Sequence, residues 1–184
     1  MLTFKINQYN FLSLIHKQII DQFVCTCFQD DEVKTIHPSE LNVTSIQLFM
    51  DDHLIGYCGV YQCSMEENYN YKIGIVSCFC IDSKFRKQGY GKLLLNYTER
   101  WMIYSNAFDF SIFTCNHENL MFYIQNSDWC ILDIEVKSYL YSSYNSKKLN
   151  LFVLFQSFQP QINTNFMTKY FPTISLILPF KIFV

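Results

Sequence analysis

The densest run of chemistry-bearing residues is Cys80-Ile-Asp-Ser-Lys-Phe-Arg-Lys-Gln-Gly-Tyr-Gly-Lys-Leu-Leu94. An almost unbroken apolar stretch, Ile73 to Ile81, runs into a short polar and basic loop, and a helical pattern starts at the second of two glycines, Gly89 and Gly91. Such a junction is an anion site. The first turn of a helix leaves backbone N–H groups without intrahelical acceptors, and the aligned peptide dipoles place partial positive charge there. Glycine lets a phosphate approach the main chain closely and permits positive φ. Arg86, Lys87 and Lys92 add cations around the loop. The glycine pattern of dinucleotide-binding folds requires a third glycine, which is missing, and the Gly-Lys-Ser/Thr ending of a P-loop is also missing.

The eight cysteines support neither a metal nor a disulfide framework. No pair is separated by two residues, and the two Cys-x-Cys pairs, Cys25/Cys27 and Cys78/Cys80, lack the spacing of a zinc knuckle or ribbon. They read as reduced, mostly buried small hydrophobes, with Cys78 and Cys80 lining the core or a channel. No metal is expected.

What is present, Arg86-x-x-Gly89-x-Gly91, resembles the acetyl-CoA pyrophosphate loop of the GNAT N-acetyltransferases. Ile81-Asp82 followed by Phe85-Arg86 is similar to the run that precedes the loop in that family, with Ser83 where proline is common. A second block, Asp109 to Cys115, then Phe122-Tyr123, then Trp129, looks like the family's strand–helix–strand, with Ser127 where glycine is usual and Trp129 one residue late. The resemblance covers roughly residues 10–155, with a faint flavour of the aminoglycoside 2'-N-acetyltransferase branch. It implies acetyl-CoA as co-substrate and a primary amine, of a small molecule or a protein, as acceptor, with direct transfer in a ternary complex. It implies that the Phe79, Cys80 and Ile81 segment binds the pantetheine arm. Backbone N–H groups of Lys87, Gln88, Gly89, Tyr90 and Gly91 would hold the pyrophosphate, with Arg86 and Lys92 beside it. Asn116 would lie near the pantetheine, and Tyr123 would protonate the departing thiolate. No residue stands out as general base: Glu66 and Glu67 fall in a polar loop, His117 opens a short helix, and Asp82 shapes the loop. A GNAT fold without catalysis, a CoA-binding or regulatory module, is the competing expectation.

These residues need elements to position them. The pattern reads as a strand at 3–6, a helix from Phe11 to Phe28 ended at Gln29-Asp30-Asp31-Glu32, and a hairpin of strands 43–50 and 54–63. A central buried strand, 73–81, is followed by a helix from Gly91 to about Tyr104, with Leu94, Tyr97, Trp101 and Tyr104 at helical spacing. Then come a strand at 108–114, a helix at 118–125 with Leu120, Met121 and Tyr123 to bury, and strands at 129–136 and 148–155 joined by a loop at 142–146. The order β-α-β-β-β-α-β-α-β-β gives an α/β (α+β mixed) class. The resemblance makes this a central mixed, mostly antiparallel sheet flanked by helices.

The domain is expected to span 1–156, with 157–184 as an apolar extension that packs on it or is poorly ordered. At 184 residues one domain is the default. Hydrophobic residues at 50% and charged residues at 16% exclude a disordered chain. A net charge of -2 offers no broad field for nucleic acid. The stretch Phe171 to Val184 is too short, and too broken by Pro172 and Pro179, to span a bilayer. The N-terminus carries no signal-peptide pattern, so a cytoplasmic location is expected. The chain shows no dimer signature, although many members of the resembled family dimerise.

Overall fold

The computed structural model describes residues 1–30, 35–66, 70–139, 141 and 145–177. The chain forms two compact units, one of residues 1–61 and 76–98, the other of 62–75 and 99–184. The class is mixed α/β with mostly antiparallel pairing.

In the first unit, β1 (Leu2–Gln8) pairs antiparallel with β2 (Thr44–Met50), from Leu2 opposite Met50 to Gln8 opposite Thr44. β2 pairs antiparallel with β3 (His53–Cys63) across a two-residue turn, with a bulge at Leu48/Phe49. Both turn residues, Asp51 and Asp52, have positive φ, 46° and 65°, the conformation that suits the twist of a tight hairpin and that Asp tolerates. β4 (Ile73–Ile81) follows β3 in the strand order and passes through both units. Ile46, Leu48, Ile55, Tyr57, Leu94 and Leu95 are fully buried.

Helix α1 (Leu14–Phe28) is capped by Ser13, whose hydroxyl accepts from the His16 N–H, and is closed by Gln29 in the left-handed region at φ 58°. Asp31 and Glu32, expected in that stop, lie outside the described residues. The buried face is Ile20, Asp21, Val24 and Cys25, while Leu14, Ile15 and Ile19 are exposed. The apolar residues therefore outnumber the positions that pack. Asp21 is buried because it has partners: the Tyr9 hydroxyl and the Ile36 N–H donate to it.

Helix α2 (Tyr90–Ser105) buries Leu94, Leu95, Thr98 and Met102, whereas Tyr104 is exposed. The inward stripe is thus rotated away from the Tyr97, Trp101, Tyr104 row that shares the helical spacing. Three- and four-residue steps from Leu94 and Leu95 set that stripe, and aromatic side chains lie at its margin.

In the second unit, β4 pairs parallel with β5 (Phe110–Cys115) at Ile73–Ile75, β5 pairs antiparallel with β8 (Phe152–Ser157), and β8 with the two-residue β6 (Cys130–Ile131). Helix α3 (His117–Asn126) connects β5 to β6; it buries Leu120 and Tyr123 and leaves Met121 exposed. The single strand expected at 129–136 is two. After β6 the chain leaves that ladder, and β7 (Glu135–Ser138) pairs parallel with β9 (Thr173–Leu176). The Ile134 N–H bonds to the Leu132 carbonyl, a tight turn that breaks the strand between them. The tail contributes helix α4 (Thr164–Tyr170), capped by Asn163, as well as β9, and buries Met167, Phe171, Ile174 and Leu176. Residues 142–144 and 178–184 lie outside the described set. Among the described residues, no helix is long and apolar enough to cross a membrane.

His37 is 3% exposed and its Nε2 lies 2.7 Å from the Tyr57 hydroxyl. A Cβ on Gly59 would lie 2.8 Å from that imidazole, which its bond to Tyr57 holds in place. Gly59→Ala is therefore expected to cost about 1–3 kcal/mol through overpacking, read as a lower urea midpoint. Burial lowers the His37 pKa to about 4. The unfolded chain, with an ordinary value of about 6.5, binds the proton more readily over the interval between them. Stability is thus fully present above about pH 6.5 and falls as pH drops toward 4, by about 3 kcal/mol, a slope that His37→Gln should flatten in pH-dependent denaturation.

Candidate active site

The loop expected to hold an anion is built almost wholly from main-chain bonds. β4 reaches Asp82, whose N–H bonds to the Ile55 carbonyl at 3.0 Å. The Asp82 carboxylate accepts from the Lys84 N–H at 2.9 Å, capping a 3-10 turn over Ser83–Phe85. This is the shaping role expected for Asp82. The Gln88 amide donates to the Lys84 carbonyl at 2.9 Å, and the Phe85 and Tyr90 rings meet edge to face.

Arg86 was expected beside the pyrophosphate. Its Nε donates to the Ile81 carbonyl at 2.9 Å, and a terminal guanidinium nitrogen donates to the Cys27 carbonyl at 3.2 Å. It binds the end of β4 and the last turn of α1, which leaves only part of its donor fork for a ligand.

Lys87 and Gly89 both have positive φ, 61° and 89°, and Gln88 between them does not. Alternation of this kind turns successive N–H groups toward one concavity, an arrangement that binds anions. The Gly89 carbonyl accepts the first helical bond, from the Leu93 N–H at 3.0 Å, so α2 begins at Tyr90, one residue before the expected start. The first-turn N–H groups of Tyr90, Gly91 and Lys92 then have no acceptor four residues back. A Cβ on Gly89 would meet nothing within 4 Å. Space is open there, and what demands glycine is φ. Arg86, Lys87, Gln88, Gly89 and Lys92 are exposed.

Phe79, Cys80 and Ile81 follow an irregularity that the sequence did not announce. Cys78 has φ 52° within β4. A non-glycine residue in the left-handed region of a strand kinks it, and nothing in the side chain of cysteine signals that conformation. The β4–β5 ladder runs over Ile73–Ile75, before this kink. Beside the loop, a cleft of about 800 Å³ is lined by Ile15, Ile19 and Phe23 of α1, by Leu54 and Ile55, and by Phe85.

In the second unit, Asn116 caps α3, its side-chain oxygen accepting from the Asn119 N–H at 3.0 Å. That bond spends the acceptor and leaves the amide donors. Tyr123 is buried, its ring edge-on to Phe113 and Phe122 at 5.0 and 5.2 Å. The turn after α3 explains the absence of glycine. Ser127 has extended backbone, φ -154°, and its hydroxyl donates to the Tyr123 carbonyl at 2.7 Å, closing the helix with a side chain. The Glu99 carboxylate accepts from the Asp128 N–H at 2.9 Å and from the Gln156 amide at 2.7 Å, holding the turn, and Trp129 is buried on Phe113. Burial raises the Glu99 pKa. His117 is exposed against Phe152, Glu66 is exposed, and Glu67 lies outside the described residues. Among the described residues no group of three or more His, Cys, Asp or Glu is placed to hold a metal.

Residues 15–125 match the family model described as the acetyltransferase (GNAT) family. No curated protein matches the sequence. Among solved structures, an acyl-CoA N-acyltransferase from Pseudomonas aeruginosa is 12% identical, with a TM-score of 0.60, over 85% of this chain and 100% of that one. A GNAT family acetyltransferase from Elizabethkingia anophelis with acetyl-CoA bound is 10% identical, with a TM-score of 0.51, over 85% and 97%. An aminoglycoside 6'-N-acetyltransferase complexed with coenzyme A is 12% identical, with a TM-score of 0.56, over 86% and 99%. At these identities the structures share the fold, while the family model covers well over half of the residues, including the whole strand–loop–helix segment: the chain belongs to the GNAT family of acetyltransferases.

Proposed function

We propose that the protein transfers the acetyl group of acetyl-CoA to a primary amine, of a small molecule or a protein, by direct attack in a ternary complex. The observation that carries this reading is the loop from Arg86 to Gly91, with its alternating φ, its open space at Gly89 and the start of α2 behind it. Pyrophosphate fits such a cradle because its charge meets N–H donors and a helix dipole together. Lys87 and Lys92 add exposed cations. The main chain of Phe79 and Ile81, beyond the Cys78 kink, takes the pantetheine arm with strand-like hydrogen bonds. Main-chain N–H groups in this segment polarise the thioester carbonyl as its oxygen gains charge.

Tyr123 supplies the proton to the departing thiolate. A phenol remains protonated at neutral pH and so can act as acid when the sulfur gains charge. The C–S bond breaks as the amine nitrogen bonds to the carbonyl carbon, and the amine leaves one proton to solvent or to a base. The resemblance to aminoglycoside 2'-type enzymes makes polyamine sugars one acceptor class to screen, alongside peptide and small primary amines.

Calorimetric titration of the full chain with acetyl-CoA is expected to show micromolar binding that Gly89→Glu abolishes, because the new carboxylate enters the anion cradle at a strained φ. No binding by well-folded wild type would overturn the proposal. Tyr123→Phe is expected to lower kcat about 100-fold or more, the usual scale of general-acid catalysis, with acetyl-CoA affinity unchanged. Unaltered kcat in a thiol-release assay would remove the acid role.

A further inference from the structure

Strand β1 ends the strand order of its sheet, and among the described residues β2 alone pairs with it. The phase of its hydrogen bonds can be read from both ends of the ladder. The Asp51 N–H donates to the Met1 carbonyl, and the Tyr9 N–H donates to the Val43 carbonyl. In an antiparallel pair, residues alternate between exchanging bonds with the partner strand and pointing their N–H and C=O groups away from it. The odd-numbered residues from Met1 to Tyr9 therefore bond to β2. Leu2, Phe4, Ile6 and Gln8 turn their main-chain groups to the free edge, where no described residue meets them.

That phase coincides with the apolar one. Leu2 and Ile6 are 39% and 37% exposed, and the Phe4 ring between them lies flat on Tyr97 of α2, centroids 3.7 Å apart and planes within 1°. The devices that usually protect an edge are absent from β1. It has seven residues, no proline and no bulge; the irregularity of the neighbouring hairpin falls at Leu48/Phe49. Its single charged side chain, Lys5, sits over the Phe49 ring at 4.3 Å, drawn toward β2 and away from the edge.

We propose that β1 pairs antiparallel with β1 of a second copy of the chain, about a twofold axis at Phe4. A twofold normal to the sheet keeps both faces continuous and makes the contact isologous. It sets Leu2 opposite Ile6 of the second copy, and Phe4 opposite Phe4 of the second copy. All three residues have their main-chain groups turned outward, so every such pair can exchange two N–H···O=C bonds. The same pairs bring apolar side chains together on the face that carries Tyr97. Other twofold registers lose this match. An axis at Lys5 sets two cations opposite each other in the closer, non-hydrogen-bonded kind of pair, and an axis at Ile6 sets Phe4 against Gln8. With the axis at Phe4, Lys5 meets Thr3. The strand is complementary to itself in hydrogen bonding, polarity and charge at one register, which selects a second copy over an unrelated strand. A single-strand seam is smaller than the ~800 Å² per partner of a standard interface, so the dimer forms reversibly. None of this depends on the acetyl transfer proposed above.

The test is sedimentation velocity of the full chain across the micromolar range, with circular dichroism to confirm that each variant is folded. Wild type is expected to pass from monomer to dimer as concentration rises. Leu2→Lys/Ile6→Lys sets like charges opposite each other at both ends of the seam and is expected to weaken the dimer about 10-fold or more. Leu2→Glu/Ile6→Lys makes as many polar substitutions but sets opposite charges across the same pairs, and is expected to restore dimerisation. Should either double variant fail to fold, Thr3→Glu carries the register: it sets a carboxylate opposite Lys5 of the second copy and is expected to tighten the dimer, and no tightening would overturn the proposal. A wild type that stays monomeric at every concentration would also overturn it and leave the edge to a strand of another protein. So would a dimer indifferent to Leu2→Lys/Ile6→Lys, one not restored by Leu2→Glu/Ile6→Lys, or assemblies that grow beyond two copies.

Discussion

Arg86 spends its guanidinium on two carbonyls of its own chain, and the rest of the loop is arranged around that choice. With the Ile81 carbonyl at the end of β4 and the Cys27 carbonyl at the end of α1 both satisfied, two groups that secondary structure leaves over have a common donor. The chain beyond Arg86 can then adopt positive φ at Lys87 and Gly89 without losing its place on the strand. Anion binding in such a loop is a property of main-chain N–H groups, whose directions are fixed by φ and ψ alone. A basic side chain that secures those angles contributes more to the site than its charge alone would.

That constraint also explains which part of the site could be read from residues. Gly89 at the mouth of a helical pattern is diagnostic because few other residues permit its positive φ. The buried strand, the hairpin and the order of helices follow from periodicity, which burial enforces. Cys78 is the opposite case: it has a left-handed φ within a strand, and no propensity of cysteine foretells it. The two hydrogen bonds that Arg86 donates to carbonyls are equally silent, since an arginine at this place looks the same in sequence whether it faces solvent or backbone.

Periodicity failed where apolar residues exceeded the space to bury them. Helix α1 has more isoleucine and leucine than its inward face accepts, and α2 turns Leu94, Leu95 and Thr98 inward instead of its aromatic row. The pattern of types gives a helix; its rotation is set by packing. The turn at Ser127 shows a further limit. A hydroxyl returning to the Tyr123 carbonyl closes the helix that glycine would otherwise close, so a departure from the familiar residue changes the means while the element still ends.

The parallel pairing of β7 with β9 has a kinetic consequence. Thirty-odd residues separate the strands, among them β8 and α4. During synthesis at about 5–20 residues per second, β7 would wait on the order of seconds for its partner. Throughout that interval its edge is an available template for another chain. Glu135 and Lys137 alternate with the inward Val136 and Ser138. Like gatekeepers beside an aggregation-prone segment, these opposite charges discourage a stray strand while the proper one is still being made.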